Sequence, residues 1–140
     1  MLDEALEVVD GLMRGPVDHT GEHYRVRADL RPRPVQRPRP PVWVAGVAPH
    51  RRPLARARRW DGIVPIGSGE HLTPEGLAAY LALDGEQARE GWDVVVHHRP
   101  GVPPGEYADA GATWLVRSVF PAVDGWEEEL DDLVRSAPER

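Results

Sequence analysis

The chain has 140 residues, no cysteine and a formal net charge of −6. That length can bury a hydrophobic core, and the missing cysteines exclude a disulfide scaffold and thiolate metal sites. No window approaches the roughly 20 apolar residues of a membrane span, and the net negative charge argues against non-specific nucleic-acid binding.

Residues 3–13 place Ala5, Leu6, Val9, Leu12 and Met13 at helical spacing with acids opposite, and Gly15-Pro16 ends the pattern. The acidic, amphipathic start is neither a secretory signal nor a transit peptide, so a cytoplasmic location is expected. Residues 17–41 read as an irregular Pro/Arg-rich connector. Within it, residues 22–26 are expected as a short strand behind a turn at His19, Thr20 and Gly21. The run RPRPVQRPRPP forbids helix and favours an extended polyproline path. It reads either as a rigid connector or as a ligand for a proline-recognising domain. All 17 basic residues are arginine, and many fall between Arg25 and Arg59, where local positive charge could meet a phosphate.

From Pro41 onward the pattern is regular. A strand at 42–45 leads to a helix near 53–60 and a strand at 63–66. Thr73 caps a helix with Pro74 at its first position, expected to run to about Arg89 with a weak point at Gly85. A strand at 93–96, a Pro/Gly loop at 100–105, a short helix around Tyr107 and a strand at 113–116 follow. Asp124 and Glu127 have capping-box spacing for a last helix with an apolar face of Trp126, Leu130, Leu133 and Val134. Four strands alternating with helices predict an α/β fold with a parallel sheet and right-handed crossovers. Four such units make half of a (β/α)8 barrel.

Four segments in order, LDEALEVVDGLMRG, GEHYRVRADLRPRPVQRPRPP, PPVWVAGVAPHRRPLARARRWDGIVPI and EYADAGATWLVRSV, resemble the bacterial luciferase-like monooxygenases. The resemblance implies a single partial domain over residues 1–140, the C-terminal half of a (β/α)8 TIM barrel whose strands correspond to the fifth to eighth. It also implies a flavin coenzyme, FMN or deazaflavin coenzyme F-420, and monooxygenation or hydride transfer on a small molecule. The expected partner is an N-terminal half barrel or a second copy of the chain. The front half of the family pattern, which holds most of the ring-binding residues, has no counterpart here. The isolated chain is therefore expected to be inactive, and no catalytic residue is named.

Ligands bind α/β sheets at the carboxyl ends of the strands, so the residues following each strand are the candidates. By resemblance, Ala45, Gly46 and Val47 contact the coenzyme through backbone, and Arg51 or Arg52 supplies charge to its phosphate. A turn kept small only for packing is the alternative. Gly67-Ser68-Gly69 reads as a phosphate nest or a plain loop. His97 and His98 are adjacent on a strand and so face opposite ways, which argues against a metal pair. His19 and His23 are four apart but enclose Gly21. Asp61-Gly62 is expected to set a helix-to-strand turn, while Trp43, Trp60 and Trp114 read as core or pocket wall. Two other readings remain: a non-catalytic half barrel that self-associates, and an interaction module displaying the Pro/Arg-rich segment.

Overall fold

The amphipathic first stretch forms α1 (Leu2–Arg14) in the computed structural model, which describes residues 1–69, 71–119, 121 and 124–136. Asp3 and Glu4 in its first turn complement the helix dipole. Beyond α1 the chain makes an antiparallel hairpin, β1 (Val17–Thr20) and β2 (Arg25–Ala28), with Val17 opposite Ala28 and Thr20 opposite Arg25. The sequence reading expected a single short strand here. The hairpin turn is held from a distance. The Glu4 carboxylate accepts from the Tyr24 amide at 3.0 Å, from the His23 amide and from His19 Nε2 at 3.0 Å. A Cβ on Gly21 would collide with that carboxylate, so glycine is required for its approach.

Residues 29–42 carry neither helix nor strand. Arginines pin them down: Arg33 donates to the Arg14 carbonyl at 3.1 Å. Arg39 bonds both Asp10 and Asp61 and lies over the Trp60 ring at 5.6 Å, with its side chain 8% exposed. Asp61 also accepts from the Val42 amide at 2.7 Å. Burial opposes ionisation of Asp61, but the Val42 amide and Arg39 outweigh it and hold the carboxyl below its usual range. Asp61 thus joins the Pro-rich segment to the sheet at the helix-to-strand turn.

The sheet comprises β3 (Trp43–Val47), β4 (Gly62–Ile66), β5 (Asp93–His97) and β6 (Trp114–Val116), in that order and parallel throughout. Helices α2 (Arg51–Ala57), α3 (Pro74–Leu81) and α4 (Pro104–Asp109) fill the crossovers, and α5 (Trp126–Arg135) follows β6. Alternation along the strands sends Val44, Ile63, Val94 and Val96 into a core with Leu54, Ala57, Leu77, Tyr80, Trp92 and Tyr107. The other face is open: Trp43, Val47, Ile66 and Trp114 are exposed on it. This is a four-stranded parallel α/β sheet covered on one side. No helix among the described residues is long and apolar enough to cross a membrane.

Two helix expectations need correction. Thr73 does cap α3, its hydroxyl accepting from the Gly76 amide at 3.1 Å, but the helix stops at Leu81 rather than near Arg89. Arg58 takes the Leu81 carbonyl at 3.2 Å, the Glu86 carbonyl at 3.1 Å and the Asp84 carboxylate at 3.0 Å, and lies 4.4 Å from the Trp92 ring centroid. The chain after Leu81 wraps this cation instead of continuing the helix, and Gly85 turns with φ +72°. For α5 the capping box does not form: Gly125 is the cap, at φ +81°, with no side-chain bond. The helix has no buried residue, and Leu130 and Val134 are exposed.

Candidate functional site

The carboxyl ends of the four strands lie side by side, with Val47 paired to Ile66 and His97 to Val116. Parallel alignment brings the residues that follow each strand to one edge of the sheet. At β3, Ala45 and Val47 lie on the open face and Gly46 on the covered one. A Cβ on Gly46 would stand 2.7 Å from the Tyr80 hydroxyl and 2.9 Å from Pro53 Cβ. Its small size therefore lets α2 and α3 seat against the strand, while its exposed neighbours leave backbone accessible on the other side. The Ala48 amide donates to the Ile66 carbonyl at 2.9 Å, which carries the β3–β4 pairing one residue past the strand. Arg51 opens α2 and is exposed, as is Arg52. Neither has an ion-pair partner among the described residues.

A cavity of about 660 Å³ opens beyond β4 and β5, lined by Ile66, Gly67, Gly69, His71, Arg99 and Pro100. Gly69 takes φ +93°, a conformation that suits glycine. The His71 ring stacks on His97 with centroids 5.6 Å apart and planes 15° from parallel. His97 Nδ1 is hydrogen-bonded to Ser118 Oγ at 2.9 Å. His98 turns away, its Nε2 bonded to the Val102 carbonyl at 2.8 Å and its ring edge-on to Tyr107. The two adjacent histidines thus serve different surroundings, as their strand positions require. His19 is engaged by Glu4 in the hairpin, far along the chain from this edge.

Pattern reading passed over His71 and held Ser118 only as a residue that follows the last strand. Neither belongs to a motif. They meet His97 only because the loop after β4 and the segment after β6 converge over the end of β5. The available signal was positional: both follow a strand.

At the opposite, amino end of the open face, Asp93 accepts from Trp43 Nε1 at 3.0 Å and from Trp114 Nε1 at 2.9 Å. The two indoles lie 5.8 Å apart. One carboxylate therefore bridges the outer strands β3 and β6 across the sheet. Trp43 and Trp114 form a wall of the open face, whereas Trp60 is buried in the core.

A parallel α/β sheet with small residues, arginine and a cavity at its carboxyl edge defines the class of open-sheet proteins that take ligands at that edge. The sequence profile described as luciferase-like monooxygenase matches residues 1–114. The chain belongs to the luciferase-like monooxygenase family, which at family level denotes flavin-linked oxidoreductases using flavin or deazaflavin coenzymes. No curated protein and no solved structure matches the chain.

Proposed function

We propose that the chain is the carboxyl-terminal portion of a flavin- or deazaflavin-dependent (β/α)8 oxidoreductase acting on a small molecule. The observation that carries this reading is the family match over residues 1–114, on a sheet whose second face is apolar and open. In a closed barrel that face would line the interior. The four strands then correspond to the fifth to eighth, and the remaining strands cover Trp43, Val47, Ile66 and Trp114.

In this reading Ala45 and Val47 present backbone to the coenzyme, Gly46 keeps the strand close to its helices, and Arg51 faces a phosphate. The donor set fits such a group, because Arg51 and Arg52 are exposed cations at the carboxyl edge beside small residues. Bound there, the coenzyme supplies oxygen activation or hydride exchange, and the chain's own residues bind and orient it. The test is fluorescence titration with FMN and with coenzyme F-420 of the chain paired with an amino-terminal half barrel from a family relative. Saturable binding, weakened about tenfold by Arg51→Ala, is expected. A folded pair that binds neither coenzyme would defeat the reading.

One observation favours a second reading. Among the described residues, strands β3 and β6 each have a single neighbour, and unpaired edges invite pairing with another chain. Two copies pairing to cover each other's open edges would give a non-catalytic dimer, which sedimentation would reveal as a species of twice the chain mass without coenzyme.

A further inference from the structure

We propose that the groove between α1 and α2 is a docking surface for the acidic helix α5 of a second copy of the chain. The contact uses outer helices, not the open edges of the sheet, and it is independent of the coenzyme reading.

Residues 49–60 carry five arginines and no acidic residue. Leu54 and Ala57 are buried, and Arg58 is spent on Asp84. The spacing of 52, 55, 56 and 59 therefore sets those positions on one outward face of α2 and its end. Together with Asp3 of α1 they line a groove of about 410 Å³. Asp3 accepts from Arg56 Nε at 2.9 Å and pairs also with Arg59. Arg52 has no ion-pair partner among the described residues. Three lining arginines thus share one lining carboxylate, and the groove keeps a net positive charge. Ala55, between them, leaves room for an incoming side chain.

The complementary element is α5. It carries Glu127, Glu128, Glu129, Asp131 and Asp132, all exposed. Arg135 bonds Asp131 and Asp132 at 3.1 Å each, so the three glutamates have no ion-pair partner among the described residues. No residue of α5 is buried, and Leu130 and Val134 are exposed. Within one chain α2 follows β3 and α5 follows β6, the two outer strands of the sheet. The carboxylate that the groove arginines hold is Asp3, and no carboxylate of α5 pairs with them. The helix that fills the groove therefore comes from another copy. Its glutamates meet Arg52 and its neighbours, and the arginine stems give Leu130 an apolar bed. Each copy offers one helix and one groove, so two copies close the exchange about a two-fold axis. Exposed ion pairs are individually weak and screened by salt, which makes the pairing weak and strongly dependent on ionic strength.

The test is sedimentation equilibrium of the full chain at low ionic strength and at about 0.5 M salt. A dimer is expected at low salt, with Kd rising about tenfold or more at high salt. Arg52→Glu should weaken the dimer about tenfold, and so should Glu128→Lys combined with Glu129→Lys. An equal mixture of these two variants should recover the dimer. In the mixed pair one native helix meets one native groove, and at the other contact both charges are reversed. Circular dichroism confirms that each variant is folded, and the salt titration of the unaltered chain tests the proposal without any variant. A chain that stays monomeric at low salt overturns it, as does a mixture that fails to dimerise. Association that ignores salt and both variants also overturns it, because the contact would then lie on the strand edges. No arm contains coenzyme, so the oxidoreductase reading stands or falls separately.

Discussion

Gly46 shows at the residue scale how one position serves two layers. Its covered side is filled by the Tyr80 hydroxyl and Pro53, so Gly46→Val should destabilise the fold by about 1–3 kcal/mol, measured by chemical denaturation. The Tyr80 hydroxyl is buried and has no hydrogen-bond partner among the described residues. Burial, and then the charge of Asp84, push this phenol's pKa upward. Tyr80→Phe removes an unpaired polar group at nearly constant shape, so stability should be unchanged or rise by up to about 1 kcal/mol. A loss of more than that would mean the hydroxyl has a partner. Arg39 behaves oppositely. Its replacement by methionine removes one partner from each of Asp10 and Asp61 and should cost about 1–3 kcal/mol, less than for a fully buried pair because both carboxylates reach solvent and keep a second partner.

Glu4 makes the element scale pH-sensitive. Hydrogen bonds from His19 and from the Tyr24 and His23 amides outweigh desolvation and lower its pKa from an ordinary 4.5 to about 2. A carboxyl depressed in the folded state contributes stability above its unfolded pKa, and that contribution is lost as pH falls from 4.5 toward 2. The docking of the β1–β2 hairpin on α1 should therefore loosen over that window, and Glu4→Gln should flatten the dependence. Amide exchange in residues 17–28, measured across the window, tests both. The same element shows what local pattern can reveal. The strands β3 to β6 were legible because apolar runs and small turns state them locally, and Thr73-Pro74 announced the start of α3. The hairpin was not, since its turn is held by Glu4, 20 residues before Tyr24. The end of α3 was hidden for the same reason, being set by Arg58 reaching Leu81 across 23 positions. Of the candidate site, Ala45 to Arg51 could be read from one contiguous turn, whereas the cavity needed two separated segments brought together.

At the scale of the whole molecule the sheet is finished on one side only. Trp43, Val47, Ile66 and Trp114 are exposed on its open face, and exposed apolar patches mark interaction sites. The Trp43–Asp93–Trp114 bridge lies on that face, so covering it should change indole fluorescence. Asp93→Asn, which halves the acceptor capacity offered to the two indoles, should weaken the bridge by about 1 kcal/mol, read as a lower melting temperature. Whether the cover is the rest of a barrel or a second copy, and whether coenzyme sits beneath it, can be read together by native mass spectrometry of the protein isolated from its source cells. The account predicts a species heavier than the 15.6 kDa of this chain, carrying the mass of one FMN or coenzyme F-420 per barrel. A 15.6 kDa monomer without coenzyme would contradict it.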